Sequence, residues 1–437
     1  MMDQNQIMYQ IYPLGFCGAP KQNDGITVPR IRKVLDWIPH LKKLGVTCVL
    51  FNPVFDSDRH GYDTRDFAKI DPRLGTNEDF AEVCDALHDQ GIAVMLDGVF
   101  NHVGRGFPFF QDVISKKWDS PYKDWFYVNF NDTWAKDGFT YGDWEGHQEL
   151  VKLNLQNETV RRWLVERVDQ WIGEFGIDGL RLDVAYCLDH EFMKVLHRHV
   201  KEKDPGFMLL GEMIGGDYNS IMNDEMLDSV TNYECRKGLY SSMNSKNLFE
   251  IGYSLNRQFG PDPWCLYRGK NLLTFADNHD VDRLASVLEN PKDLPLTYAL
   301  MYAMPGMPCI YYGSEWGAKG TRSAYSDSAL RPCFEKPQWN DLTDTIASFA
   351  EMRKQYPVFH DGDYVQLYLQ NQQIAFRRRD AKGQLTFLLN IDDKPAEFRF
   401  DAGVEEGIDL LKGKAVRFNE PLTLPEKSFR FLYSSWD

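Results

Sequence analysis

The chain has 437 residues, of which 43% are hydrophobic, and a formal net charge of −15 at pH 7. This length accommodates one large and one smaller domain, and no apolar run approaches the roughly 18 to 20 residues needed to cross a bilayer. The acidic charge argues against a nucleic-acid or anionic-membrane partner, so neither nucleic acid nor membrane is expected to bind.

The N-terminal segment and the cysteines both indicate a cytoplasmic protein. The segment MMDQNQIMYQIYPLGF contains an acid and lacks the basic region of a signal peptide, and the first strand is predicted within it. The eight cysteines show no CxxC or Cys/His spacing, and several lie within apolar runs such as VTCVLF. They are therefore expected to be reduced, buried thiols.

Eight short apolar runs alternate with longer stretches of helical period. The runs predict strands at residues 7–12, 48–54, 92–99, 179–184, 207–213, 227–232, 271–276 and 309–313. The stretches predict helices at residues 28–44, 77–90, 158–175, 191–203, 237–258, 281–304 and 342–356. Continuous apolar strands with interleaved helices are typical of a helix-covered parallel sheet, so the pattern predicts the α/β class and a (β/α)8 TIM barrel. A doubly wound sheet is the alternative, but no G-x-G-x-x-G follows the first strand.

Two regions interrupt this alternation. Residues 104–150 lack a clear period and contain four tryptophans, which predicts a short excursion, a domain-B-like insertion, over the mouth of the barrel. After Phe359 the pattern changes to six short alternating strands, which predicts a C-terminal antiparallel β-sandwich domain. The expected organisation is a barrel of residues 1–103 and 151–359, the insertion of 104–150, and the β domain of 360–437. Arg377–Arg379 are expected on a solvated strand face.

Polar side chains follow four of the predicted strands at their C-terminal ends, where TIM barrels place their active sites. They are Asp97 and His102 in DGVFNH, Arg181 and Asp183 in GLRLDVA, Glu212 in GE, and His279 and Asp280 in NHD. Buried charges are costly unless they serve each other or a ligand. Any one of them is compatible with a structural salt bridge, but together they predict an active site.

The fourth and fifth strands suggest a specific chemistry. Arg181 and Asp183 are two residues apart, so both point into the barrel, and the arginine is expected to keep Asp183 ionised as a nucleophile. An apolar flank beside other carboxylates raises the pKa of a glutamic acid, which suits Glu212 to general acid catalysis. Carboxyls about 5 to 5.5 Å apart support retaining glycoside hydrolysis. His102 and His279 suit hydrogen bonds to sugar hydroxyls.

The four segments resemble the signature regions of the α-amylase family, glycoside hydrolase family 13. IMYQIYPLGF, HGYDTRDFAKIDPRLGT, VKLNL and IYYGSEWG also resemble family motifs, so the likeness extends from about residue 7 to 320. It implies Asp183 as nucleophile, Glu212 as acid/base and Asp280 as transition-state stabiliser. It further implies a central sugar subsite lined by Asp97, His102, Arg181 and His279, with Tyr62 stacked on the same sugar.

The sequence departs from the family after the second signature region. Many members have a Lys-His pair that serves an outer subsite and a calcium site, whereas Tyr186 and Cys187 stand here. No metal and no cofactor are therefore predicted, although Asn101 matches the usual calcium ligand and leaves calcium as an alternative. The segment is more similar to the cyclomaltodextrinase, neopullulanase and oligosaccharide-hydrolase branches, but the N-terminal β domain of cyclomaltodextrinases is expected to be missing.

The resulting functional prediction is a cytoplasmic hydrolase that cleaves α-1,4 bonds of maltodextrins or cyclodextrins, with an α-glucan oligosaccharide as its partner. An exo-acting α-glucosidase or a transglycosylase is the nearest alternative, because these enzymes share the catalytic residues. A non-catalytic binding relative is more remote, since all three acids are present. A sugar-phosphate enzyme would need a basic phosphate cradle that the chain lacks. The oligomeric state is left open.

Overall fold

A computed structural model of the chain describes residues 5–436; residues 1–4, which belong to the N-terminal segment assessed above, lie outside the described residues. Eight parallel strands form one sheet. They are β1 Met8–Ile11, β2 Cys48–Phe51, β3 Ala93–Gly98, β4 Gly179–Leu182, β5 Met208–Gly211, β6 Ser229–Val230, β7 Leu273–Phe275 and β8 Met307–Tyr311. Each strand from β1 to β5 pairs with the next in the chain, β7 pairs with β8, and β8 pairs with β1. A parallel bridge between Thr231 and Leu273 joins the edges of β6 and β7, so the barrel is nearly closed.

The predicted TIM barrel is confirmed, and its strands occupy the eight apolar runs. Alternate strand residues such as Leu50, Met95 and Leu210 form an inner buried cluster, while their neighbours pack outward against the helices. The main helices are Lys33–Leu44, Asn77–Asp89, Glu158–Phe175, His190–Lys203, Tyr233–Asn244, Phe249–Phe259, Asp293–Ala303 and Asp341–Gln355. None of the helices in residues 5–436 combines the length and apolarity that a membrane span requires.

Two of the predicted helices are each divided in the structure. The stretch 237–258 becomes Tyr233–Asn244 and Phe249–Phe259, because Lys246 adopts a positive φ of 52° that a helix does not accommodate. The stretch 281–304 becomes Leu284–Val287 and Asp293–Ala303. Pro291 lies between these last two helices, and proline lacks the N–H that a helix interior requires.

Residues 104–150 stand beside the C-terminal end of β3. They contain the helix Pro108–Lys116 and short strands, of which His147–Lys152 pairs antiparallel with His102–Gly104 directly after β3. Phe107, Phe109 and Trp125 pack against one another and against Trp163 of a barrel helix. The aromatic residues of this insertion therefore form its own core and attach it to the barrel.

The C-terminal region is an antiparallel six-stranded sheet with a second sheet of two strands. The larger sheet contains Val365–Leu369, Gln373–Arg379, Gly383–Asn390, Glu406–Asp409, Lys414–Arg417 and Ser428–Ser435, and the smaller Ala396–Phe398 and Leu422–Leu424. The six predicted strands do not include two that the structure contains, Glu406–Asp409 and Leu422–Leu424. The expectation of a solvated face is wrong for Arg378, which is 1% exposed, because its side chain points toward the barrel like that of Phe376 on the same face.

Candidate active site

Arg181 on β4 gathers three carboxyl groups. Its Nη1 donates to both oxygens of Asp97, at 2.7 and 2.8 Å, and to Asp183 Oδ1 at 2.9 Å. Its Nη2 lies 2.9 Å from Glu212 Oε2. All four residues are at most 5% exposed, so these charge-assisted bonds form in a site that is largely shielded from water.

The strand register explains why these groups meet. Arg181 is opposite Asp97 in the pairing of β3 with β4. It is opposite Leu210 in the pairing of β4 with β5, and Glu212 follows Leu210 by two residues. Since side chains two apart share a face of a strand, Glu212 and Asp183 both turn toward the interior at the carboxyl end of the barrel.

A single guanidinium cannot neutralise three carboxylates. Burial raises the pKa of the Asp183 carboxyl well above its usual range, Arg181 opposes this rise, and the charges of Glu212 and Asp97 add to it. Arg181 thus favours the ionised form of Asp183, as the sequence predicts, while burial and the two neighbouring carboxylates oppose it.

The two oxygens of Glu212 have different surroundings. Oε2 accepts a hydrogen bond of 3.0 Å from the Val184 backbone N–H, in addition to the contact with Arg181. Oε1 has only a long contact of 3.4 Å from the Tyr233 hydroxyl, so Oε1 is the oxygen that protein donors engage less. Val184 itself has a φ of 40°, a left-handed conformation that β-branched residues seldom adopt and that is typical of functional sites.

Asp280 follows β7 and contacts the imidazole of His279 and the guanidinium of Arg331. His279 Nε2 lies 2.9 Å from Asp280 Oδ2, and Arg331 Nη2 lies 3.0 Å from Oδ1. Burial raises the pKa of Asp280, but His279 and Arg331 outweigh that effect and hold the pKa well below its usual range. Asp280 is thus a fixed negative charge, and its side chain is 39% exposed toward the cleft.

Tyr62 connects the carboxylates around Arg181 with His279, the partner of Asp280. Its hydroxyl donates to Asp97 Oδ2 at 3.0 Å and also contacts His279 Nε2. The rings of Tyr62 and His279 are almost parallel, with 7° between their planes. Asn52 donates to the same Asp97 oxygen at 3.1 Å. Every oxygen of Asp97 is therefore engaged by protein donors, which suits Asp97 to positioning its neighbours.

His102 lies beside Asp183, with its Nε2 4.0 Å from Asp183 Oδ2. Burial, together with the nearby His60, lowers the pKa of His102 to about 3, so the imidazole is neutral. Within residues 5–436, Nε2 is buried and has no hydrogen-bond partner. Buried polar atoms are nearly always paired, and this nitrogen is available for a hydrogen bond to a ligand.

The structure brings all eight predicted site residues together, and it adds three that the sequence interpretation missed. Asn52 follows β2 directly, so the strand-end rule that selected the others also applied to it. Tyr233 begins the helix after β6, and its hydroxyl accepts a hydrogen bond of 3.1 Å from Asn278. Arg331 comes from the long loop after β8, and no local pattern marks it.

A cavity of about 820 Å³ opens beside Asp280. Tyr12 and Arg331 line it, and the Arg331 guanidinium lies 4.5 Å from the centre of the Tyr12 ring. The remaining walls come from the loops after β1, β2 and β8 and from His147 and Glu149 of the insertion. Ligand sites of proteins typically have volumes of about 300 to 1,000 Å³.

Asn101 is the position at which the resemblance to the α-amylase family suggests a calcium ligand. The Asn101 Oδ1 atom is buried without a hydrogen-bond partner in the described chain, which is one feature that a cation would use. Calcium requires six to eight oxygen ligands with several carboxylates among them. Across residues 5–436, no group of three or more His, Cys, Asp or Glu side chains is arranged to hold a metal ion.

Comparison with known proteins places this site among carbohydrate-active enzymes. The family described as "Alpha amylase, catalytic domain" matches residues 10–357. A cyclomaltodextrinase from a Bacillus species is 30% identical over 429 residues, covering 92% of this chain and 76% of that protein. An intracellular maltogenic amylase of Bacillus subtilis is 31% identical over 342 residues, covering 74% and 55%. The ligand-free cyclic alpha-maltosyl-(1→6)-maltose hydrolase of Arthrobacter globiformis has a TM-score of 0.82 at 25% identity, covering 99% and 98%.

Proposed function

This chain belongs to the alpha-amylase family, and we propose that it hydrolyses α-1,4-glucosidic bonds of maltodextrins and cyclodextrins with retention of anomeric configuration. The observation that carries the proposal is the bridge by which Arg181 holds Asp183 and Glu212, each at 2.9 Å, on adjacent strands. The names of its relatives, a cyclomaltodextrinase and a maltogenic amylase, support this substrate class.

In the proposed first step Glu212 is the general acid and Asp183 the nucleophile. Glu212 donates a proton from Oε1 to the glycosidic oxygen, and the leaving sugar departs as the alcohol when the C1–O bond breaks. Asp183 Oδ2, the oxygen that Arg181 does not engage, attacks C1 and forms a glycosyl ester. Glu212 then removes a proton from water, whose oxygen attacks C1 and releases Asp183 as the carboxylate. Two inversions at C1 give net retention.

The remaining residues bind the sugar whose bond is cleaved. We assign to Asp280 the stabilisation of positive charge that develops on the sugar ring, because a low pKa keeps this carboxylate ionised. His102 and His279 hydrogen-bond the ring hydroxyls, and Tyr62 stacks on the ring. Asp97 orients Arg181 and Tyr62. Because Tyr186 and Cys187 stand where many family members have the Lys-His pair that serves a calcium site, we propose that no metal or other cofactor takes part.

The α-glucan substrate also fits a cytoplasmic protein, a location that the intracellular relative supports. The test is hydrolysis of maltoheptaose, β-cyclodextrin and pullulan, with products separated by chromatography and their anomers followed by proton NMR. We expect maltoheptaose and β-cyclodextrin to be cleaved, with α-anomers appearing before mutarotation. A protein that leaves both intact would overturn the proposed activity, and initial β-anomers would overturn retention alone.

A further inference from the structure

The large cavity lies on the side of the site opposite the leaving group. Glu212 must stand next to the glycosidic oxygen that it protonates, and Glu212 follows β5. In a ring of eight strands, β1 is diametrically opposite β5, and the cavity is walled mainly by the loops after β8, β1 and β2. This argument rests on the proposed function. It places the reducing side of a bound chain near β5 and its non-reducing side in the cavity.

A second cavity, of about 320 Å³, lies in the insertion. Its walls include Arg105, Trp134, Asp137 and Tyr141. Glu149 lines both cavities, so the two are neighbours on the surface. A chain that passes from one cavity to the other therefore runs over Glu149.

Trp134 presents an exposed ring at this second cavity. It is 80% exposed, compared with 63% for Trp118, the other strongly exposed tryptophan of the insertion. Exposed aromatic faces are typical of binding surfaces, and an indole offers an apolar face against which the C–H face of a sugar packs. The pair Arg105–Asp137, with its two groups 2.9 Å apart, supplies a donor and an acceptor for sugar hydroxyls beside that face.

We propose that the cavity at Trp134 is a distal sugar-binding site. It takes glucosyl units on the non-reducing side of an α-glucan chain whose scissile bond lies between Asp183 and Glu212. A short oligosaccharide fills the catalytic centre without reaching Trp134, whereas a longer one gains this additional contact. The site therefore makes affinity depend on chain length and leaves the bond-breaking step unchanged.

The experiment compares Trp134→Ala with the unsubstituted enzyme on maltotriose and on maltodecaose. For maltodecaose we expect KM to rise about 5-fold with kcat unchanged, the size of effect that corresponds to one lost aromatic contact. Neither constant should change for maltotriose, and Trp134→Phe should restore most of the affinity. Trp118→Ala is the matched control, because Trp118 belongs to the same insertion and is absent from the lining of both cavities.

A maltodecaose KM that is unchanged in Trp134→Ala, or that shifts equally for both substrates, overturns the distal site. The distal site is also overturned if Trp118→Ala raises the KM for maltodecaose as much as Trp134→Ala does. If the unsubstituted enzyme cleaves neither oligosaccharide, the proposed function itself fails. The two failures are distinguished by the activity of the unsubstituted enzyme. Thermal unfolding at an unchanged temperature checks that Trp134→Ala is folded, as expected for so exposed a side chain.

Discussion

The guanidinium of Arg331 lies 3.0 Å from the carboxylate of Asp280, although 51 residues separate them in the chain. The same side chain donates through Nε to the His279 carbonyl at 3.1 Å. Arg331 thus fixes both the position and the charge of Asp280 from a loop that follows a different strand. This contact makes Arg331 a positioning residue for the proposed reaction.

Replacing Arg331 by methionine should lower kcat/KM for maltoheptaose by roughly 10- to 100-fold, somewhat less than the effect of removing a direct transition-state donor. Arg331 lowers the pKa of Asp280, so its loss raises that pKa. Asp280 must be ionised to stabilise a positive charge, and the acid limb of the kcat/KM profile should therefore move to higher pH. The measurement is a pH–rate profile from pH 3 to 8.

Arg331→Lys and Arg322→Met are the controls for this profile. The lysine keeps the positive charge, so the acid limb should remain close to its original position even if the rate falls. Arg322 lies in the same loop and is 60% exposed, and it pairs with Asp327 at 2.9 Å. An acid limb that moves equally in Arg322→Met would contradict a specific effect of Arg331 on Asp280.

Sequence reasoning found the site residues that lie at strand ends and missed those that depend on loop paths. Asp97, Arg181 and Glu212 follow or occupy consecutive parallel strands, and parallel strands necessarily bring their carboxyl ends together. Arg331 reaches the site through the folding of a long loop, whose path is set by tertiary contacts. The direction in which the pKa of Asp183 shifts was also beyond the sequence, because it depends on how many carboxylates share one arginine.

The amide variants Asp183→Asn and Glu212→Gln should each reduce turnover of maltoheptaose by about four orders of magnitude or more, as expected when a residue that forms or breaks bonds is removed. The two should differ on α-maltosyl fluoride, because fluoride leaves without a proton. Glu212→Gln should retain measurable release of fluoride in a first turnover, whereas Asp183→Asn should not. Near-normal maltoheptaose turnover in either variant would refute its assigned role.

Asp183→Asn should also change stability with pH. The pKa of Asp183 is raised in the folded protein, so the folded state holds this proton more tightly than the unfolded state. That advantage is complete below the unfolded pKa and is lost as pH rises through the folded pKa. The amide has no proton to lose, so the variant should unfold at a temperature roughly 2 °C or more above the parent at pH 8. The difference should shrink toward pH 4; a constant difference would argue against titration as its cause.

Chelation should leave the enzyme active. Tyr186 and Cys187 stand where many members of the family have the Lys-His pair that serves a calcium site, so we expect no calcium to bind. After overnight incubation with 1,2-bis(2-aminophenoxy)ethane tetraacetate, a calcium chelator, initial rates on maltoheptaose and the unfolding temperature should match those of the untreated protein. A loss of activity that added calcium restores would show that this chain has a calcium site of another composition.

The fold was predictable where a periodic sequence pattern coincided with burial. It was less predictable where the composition of a short segment or the orientation of one side chain determined the structure. The eight barrel strands are continuous apolar runs, so both their number and order could be recognised. Strand Glu406–Asp409 has the sequence EGID, whose polar composition conceals a strand that pairs with both Lys414–Arg417 and Ser428–Ser435. Arg378 shows the same difficulty, because a run of three arginines suggests solvent exposure while strand alternation turns the middle one inward.

Arg378 joins the C-terminal sheet to the barrel, and its removal should be strongly destabilising. Its Nη1 donates to the Phe359 and Ala303 carbonyls at 3.0 and 3.3 Å, and its Nε donates to Gly362 O at 2.8 Å. Arg378→Met should lower the free energy of unfolding by about 2 to 4 kcal/mol, because these buried carbonyls lose their donors.

Arg377→Met on the same strand is the control, and it should lower the free energy of unfolding by about 1 kcal/mol or less, since Arg377 pairs with the exposed Asp363 at the surface. Urea titrations of both variants provide the comparison. Equal losses would mean that the strand tolerates either change alike, and that the buried contacts of Arg378 contribute no more than a surface ion pair.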